Sequence, residues 1–503
     1  MRVAVTGILL LVLALSGCSV GGGDASATKP RRPYVVLVVF DEFPGDTLLA
    51  PGGGIDAGRF PNFAALAGDS TWFRNAATAY DSTTKAVPLV LDGNRPRKGT
   101  SPTARDHPQS LFTALGRRGY RIVTGEEATA LCPRRYCATE RQRPPAIIPN
   151  LKGGRAERFE RFVRSIRPGA RPTFWMKHAL LPHGPWVYMP SGHRSRPEGP
   201  ELLPGMQTVP GFYDDYLTSH NEQRYLLQLG FVDRLLGKLV ARLKSQGMYD
   251  DTLIAVTADH GFAWQVRVPT RRSISLSNVD ELAPVPFFFK RPHQTRARVS
   301  DVLARTLDMT PTIADALGLP LGYRPDGRSA FSRAVRARHE VSLTKRDFSS
   351  IVRISPARWK ARRRALLQRR LRQLGSGDWA SLYTSLGPNR GLIGQRVGSL
   401  RRAAGTGATI SLAGSFATVR RSRGFVPCQI AGRIHGSGSD RERNLAIAVD
   451  GRIEAVGRSF HLRGQRVESY SVMVPEDALR DGRNTVEVLE VTHEGAMHLL
   501  ARS

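Results

Sequence analysis

The chain has 503 residues, with 74 Lys+Arg against 43 Asp+Glu and a formal net charge of +31. Its 41% hydrophobic content is enough to pack a core and excludes disorder throughout. The length fits about two to four domains, and the charge favours anionic surroundings without choosing among nucleic acid, a membrane face and envelope polymers.

The N-terminus makes that choice. Arg2 precedes an apolar run from Ile8 to Leu15, too short to span a bilayer comfortably and readable as a signal-peptide core. The run stops at Leu15-Ser16-Gly17-Cys18, which resembles a bacterial lipobox. Cleavage before Cys18 and acylation of its thiol would anchor the mature chain to a membrane; ordinary signal cleavage with an incidental cysteine is the alternative. Residues 1–18 are thus expected to be a lipoprotein signal and 19–32, rich in small and turn-forming residues, a flexible tether. An extracytoplasmic chain has an anionic membrane surface or envelope polymer as its expected partner, and no nucleic acid.

The β-branched run Tyr34 to Phe40 predicts a strand buried on both faces. Helices are expected over 60–67 and 109–117, strands over 121–124 and 174–177. Leu226, Leu229, Val232, Leu236, Leu239 and Leu243 recur at helical spacing, predicting an amphipathic helix over 223–244. A buried strand follows at 252–257. Strands alternating with helices imply an α/β fold, a mostly parallel sheet sandwiched by helices, over 33–335. Cys132 and Cys137 can form a small-loop disulfide in an oxidising compartment, leaving Cys428 as a buried thiol.

Residues 336–407 read as a basic, partly helical connector. Within them 351–375 carry nine Lys/Arg and no acid, together with Trp359, Leu366, Leu367, Leu371 and Leu374. That pattern fits either a helix lying on an anionic membrane or one packed beside the catalytic domain. Residues 408–503 are expected to be a small β-sandwich-like domain, with Asp450-Gly451 as a hairpin turn.

Four segments carry chemistry. Asp41-Glu42 closes the first strand, where carboxylates are costly unless paired or bound to a cation. Asp81 to Gly93 offers the hydroxyls of Ser82, Thr83 and Thr84 at a helix start, which suits an anion. His178-Ala179-Leu180-Leu181-Pro182-His183-Gly184-Pro185-Trp186 reads as a stiff loop with two histidines. Asp259-His260-Gly261 offers a hard oxygen and an imidazole straight after a strand. Each has a plain structural alternative as a helix cap or a core histidine.

Their order, completed by Asp308-Met309-Thr310-Pro311-Thr312-Ile313 and Asp326-Gly327-Arg328-Ser329, resembles the sulfatase/alkaline-phosphatase superfamily over about 34–332. The resemblance implies an alkaline-phosphatase-like fold. It also implies a metal-dependent hydrolase or transferase acting on phosphate or sulfate esters of envelope components. Counting back from Gly93 reaches Thr83, and Thr84-Lys85-Ala86-Val87-Pro88 is similar to the stretch after the nucleophilic threonine of phosphoethanolamine transferases. By this resemblance Thr83 is the nucleophile and a metal ligand. Asp41, Glu42, Asp259 and His260 are the other ligands, and His183 with His178 lies on the substrate side. Zn²⁺ suits such a site best, with Mn²⁺, Mg²⁺ or Ca²⁺ as alternatives. Arg271 and Arg272 either add positive charge or belong to a solvated loop. Thr83 lacks the Cys or Ser followed by x-Pro-x-Arg that formylglycine sulfatases need. A conventional sulfate-ester hydrolase and a degenerate, non-catalytic envelope-binding protein are the competing readings.

Overall fold

The apolar run near the start of the chain becomes the middle of a sheet. In the computed structural model, which describes residues 32–196, 214–266, 272–403, 407–436, 441–462, 466–492 and 495–502, seven strands line up. They are β1 (Tyr34–Asp41), β2 (Thr71–Phe73), β3 (Arg121–Gly125), β4 (Thr173–Pro182), β5 (Thr252–Ala258), β6 (Phe287–Lys290) and β7 (Arg298–Ser300), in the order β3-β4-β1-β5-β6-β2-β7. The expected signal peptide, including Cys18, lies outside the described residues, as do Arg271 and nearly all of the expected tether.

Strands β3, β4, β1 and β5 are parallel, with Val38 opposite Lys177 on one side and Val256 on the other. Parallel neighbours need crossovers. The helix Arg155–Ser165 leads into β4, and the helix Asp215–Ser245 runs between β4 and β5. Every residue of β1, β4 and β5 is buried, as their unbroken apolar runs require. The fold is therefore mixed α/β with a mostly parallel central sheet. Strand β4 is longer than the sequence predicts. Ala179-Leu180-Leu181 continue its apolar run, so the first half of the His178–Trp186 segment is strand rather than loop.

The helix Thr83–Asp92 is fixed at its far end. Thr310 Oγ1 donates to the carbonyls of Val90 and Leu91, at 2.8 and 2.9 Å. Gly93 closes the helix at φ 71°, with the Pro325 Cβ only 2.9 Å from where a side chain would begin. Asp308 accepts the backbone N–H groups of Arg305 and Arg328, at 2.8 and 2.9 Å, and pairs with Arg338. The two later motifs of the sequence thus serve as a clamp on this helix.

A second sheet of eight strands follows, in the order Met497–Leu499, Val486–Val491, Asn444–Val449, Arg452–His461, Glu468–Met473, Gln429–His435, Thr409–Leu412, Ala501–Arg502. Asp450 and Gly451 both take positive φ, 48° and 78°, the hairpin geometry expected of that dipeptide. Leu445, Ile447 and Val449 join the main core, while Ala446 and Ala448 face a smaller cluster covered by Leu392, Ile393, Val397 and Leu400. The start of the long helix Asp215–Ser245 is tied to this sheet. Arg458 pairs with Asp214 at 2.8 Å, and His220 Nε2 meets Ser471 Oγ at 2.9 Å. Cys132 and Cys137 form a disulfide, and Cys428 is a buried thiol.

The basic stretch resolves into a strand, Ile351–Ile354, and a helix, Pro356–Leu374. Trp359 is fully buried and donates its indole N–H to the Val279 carbonyl at 3.3 Å. Arg362 pairs with Asp280, Arg363 with Asp46 and Arg370 with Glu222. This is a helix packed beside the central sheet, the second of its two readings. Among the described residues no helix is long and apolar enough to cross a membrane.

Arg363 is a test of this packing, because Asp46 is itself buried. Arg363→Ala leaves that carboxylate without its bidentate partner and is expected to cost about 3–5 kcal/mol. Arg364→Ala, at an exposed position one residue on, should stay within about 0.5 kcal/mol of the parent. Urea unfolding of both variants measures the difference.

Candidate active site

The site lies where β1 and β5 end side by side, the usual ligand position of a parallel sheet. Parallel pairing of Phe40 with Ala258 brings Asp41 and Asp259 together from positions 218 residues apart in the chain. One ligand atom each from Asp41, Asp259 and His260 lies within 4.8 Å of the others, and all three residues are buried.

Asp259 Oδ1 accepts the backbone N–H of Glu42 at 3.1 Å and that of His260 at 2.6 Å. His260 Nδ1 contacts the Gly261 carbonyl at 2.9 Å, so this nitrogen carries the proton and Nε2 keeps its lone pair. Nε2 lies 3.5 Å from Asp259 Oδ2. Gly261 has no room for a side chain, since a Cβ there would sit 2.2 Å from the Glu281 carbonyl oxygen. The Thr83 side chain, buried at the first turn of its helix, stands beside the Asp259 carboxyl and favours its charged form. Asp81 holds the approach to that helix, accepting the Ile274 N–H at 2.7 Å.

Glu42 sits in the left-handed region at φ 58°, rare for a residue with a side chain. Its backbone is bound on both sides, with its N–H on Asp259 and its carbonyl accepting the Tyr225 hydroxyl at 3.1 Å. Its carboxylate pairs with Arg272 and lies 3.6 Å from His183 Nε2. Arg272 also contacts that same nitrogen, while His183 Nδ1 meets the Gly184 carbonyl at 2.6 Å. Of the two open readings of Arg272, the charged one holds: the residue faces the carboxylates.

These groups share one dry pocket, and their acidities show it. Burial, then the charges of Asp259 and Glu42, hold the Asp41 carboxyl well above its ordinary range. Burial raises Asp259 to about 7 despite the opposing backbone hydrogen bonds from Glu42 and His260. Burial lowers His260. Asp41 Oδ1 and His260 Nε2 have no hydrogen-bond partner. Unpartnered ligand atoms on hard oxygens and a neutral imidazole fit a divalent cation.

His178 is close enough to His260 for the two imidazoles to affect each other's charge. It lies inside β4 opposite Val39, fully buried, and burial lowers it to about 3. Three residues that sequence reasoning did not single out hold the site together. Arg155 donates to the carbonyls of His183 and Pro185, each at 2.6 Å. Gln228 donates to those of Pro182 and His183, at 2.9 and 3.0 Å. Tyr225 anchors Glu42. The available signal was the long helix itself, which carries Asn221, Gln223, Arg224 and Gln228 among its apolar positions, all buried.

The chain is similar to several known proteins. The Agrobacterium radiobacter phosphonate monoester hydrolase superposes with a TM-score of 0.48 at 17% identity, covering 66% of this chain and 83% of its own. A 2,3-bisphosphoglycerate-independent phosphoglycerate mutase of Thermomicrobium roseum is 33% identical over 100 residues, which is 20% of this chain and 18% of the mutase. Arylsulfatase K of Bos taurus is 28% identical over 106 residues, 21% of this chain and 19% of that protein. The chain thus spans less than a fifth of the length of either curated relative. The family model described as Sulfatase matches residues 33–319, which hold every residue of the cluster, and the chain belongs to the sulfatase family.

Proposed function

We propose that this chain is a metal-dependent hydrolase or transferase of phosphate-type esters, with sulfate esters as the second substrate class, and that Thr83 is its nucleophile. The observation that carries the reading is the buried Thr83 hydroxyl standing beside Asp259 and the unpartnered ligand atoms of Asp41, Asp259 and His260. A divalent ion held by Asp41, Asp259 and His260, with Glu42 and Thr83 beside it, would supply Lewis-acid stabilisation and make the hydroxyl more acidic.

This chain's own residues account for the rest. Thr83 Oγ1 forms a bond to phosphorus as the ester oxygen leaves with its electron pair and takes up the proton the hydroxyl gives up; water or an acceptor alcohol then releases the group, its proton returning to Thr83 Oγ1. Arg272 brings a guanidinium suited to a tetrahedral oxyanion. His183, held through its main-chain carbonyl by Arg155 and Gln228, lines the substrate side. Thr83 is followed by Thr84, Lys85, Ala86 and Val87, which favours the hydroxyl itself over a modified aldehyde. We further propose an extracytoplasmic, Cys18-anchored location, with a glycan, glycerophosphate polymer or phospholipid head group bearing the ester.

Thr83→Ala should lower turnover of bis-p-nitrophenyl phosphate by about a thousandfold or more, with Thr83→Ser retaining part of it. Faster turnover of p-nitrophenyl sulfate would move the chain to the sulfate class, and unchanged turnover in Thr83→Ala would remove the nucleophile. In chelator-treated protein, Asp259 keeps its proton up to about 7 when folded but releases it near its ordinary 3.8 when unfolded. Between these values the folded state binds the extra proton, so rising pH favours unfolding. The melting temperature should therefore fall between about pH 5 and pH 8, less steeply in Asp259→Asn, and added Zn²⁺ should restore it most at the higher pH. Identical slopes in the two proteins, or no metal effect, would argue for a non-catalytic binding protein. Cys18→Ala should move the expressed protein from the detergent phase to the aqueous phase; equal partition would dismiss the anchor.

A further inference from the structure

At the opposite pole of the central sheet from Asp41 and Asp259, where β2 and β7 begin and β6 ends, there is a concavity of about 530 Å³. Arg291, Arg296, Arg298 and Arg336 line it together with His293, and no carboxylate does. Several arginines elsewhere in the chain are answered by acids: Arg74 by Asp301, Arg338 by Asp308, Arg363 by Asp46, Arg370 by Glu222. None of these four forms an ion pair among the described residues. Two are held in place by neutral groups. The Arg291 guanidinium stacks 4.0 Å from the centre of the Phe331 ring, and Arg336 Nη1 donates to the Phe331 carbonyl at 2.9 Å.

Four guanidiniums around one hollow repel each other, and a concave wall concentrates their field. That repulsion is relieved by a ligand bringing several negative charges at once. Guanidinium forks match the oxygens of phosphate or sulfate groups in pairs, and the volume accommodates more than one such group.

We propose that this hollow binds a polyanion carrying two or more phosphate or sulfate groups, at a site separate from the proposed reaction centre. The site would hold the enzyme on an anionic polymer while its opposite face stays open to ester substrates. It does not depend on the Thr83 chemistry.

The test is calorimetric titration of the full chain with inorganic tripolyphosphate and, in a second arm, a sulfated oligosaccharide, each at about 50 and 200 mM salt. The Arg296→Gln/Arg298→Gln double variant should bind at least about tenfold more weakly. The Arg358→Gln/Arg364→Gln control, on the solvent side of the helix Pro356–Leu374, should bind like the parent. Arg291→Gln serves as an independent variant should the double variant melt early. Thr83→Ala should bind fully, and the Arg296/Arg298 variant should keep its aryl-ester turnover, so failure of this site and failure of the nucleophile are separable. The tighter of the two arms identifies the anion. Equal weakening in the control, or no binding in either arm, would reduce the hollow to part of a diffuse positive field and overturn the proposal.

Discussion

Three carboxylates, Asp41, Glu42 and Asp259, are gathered in one water-poor pocket, and much of the surrounding structure exists to tolerate them. Like charges at such distances in a low dielectric oppose folding unless they are protonated, hydrogen-bonded or matched by positive charge. All three devices are present. Asp259 Oδ1 takes two backbone N–H groups, Glu42 pairs with Arg272, and burial with the neighbouring carboxylates shifts Asp41 towards its neutral form. One oxygen each of Asp41 and Asp259 and one nitrogen of His260 are left without a hydrogen bond. A folded chain that leaves such atoms bare in its interior has reserved them for something that brings charge.

The frame of this arrangement was legible because burial leaves a compositional trace. Strands buried on both faces must be apolar throughout, so β1 and β5 stand out, and the Asp-Glu and Asp-His-Gly that end them stand out by contrast. The hairpin at Asp450-Gly451 and the small disulfide were legible for the same kind of local reason. Strand β4 was not delimited correctly, because the prolines in 178–186 read as loop markers although Pro182 is the last residue of the strand. His178, five residues before His183 in sequence, belongs to the same strand, because the chain stays extended up to Pro182.

The supporting residues were harder to see. Tyr225, Gln228 and Arg155 act through backbone carbonyls of the site, 183, 45 and 28 residues away, and nothing in their immediate neighbours marks them. Arginine in this chain likewise does two jobs that composition merges. Some guanidiniums are internal struts, as in the helix Pro356–Leu374, and others face solvent without an acid. Net charge counts both alike, and only their partners tell them apart.

The long helix Asp215–Ser245 touches the C-terminal sheet through Asp214 and His220 and, two turns on, the reaction centre through Tyr225 and Gln228. A segment that resembles a detachable appendage is therefore mechanically continuous with Glu42, which sits in the left-handed region beside the candidate metal ligands. Shortening the chain at its C-terminal end would loosen a brace rather than shed an accessory. Natural variation in that sheet has a route to alter how firmly the pocket is held, without changing any group that meets the substrate.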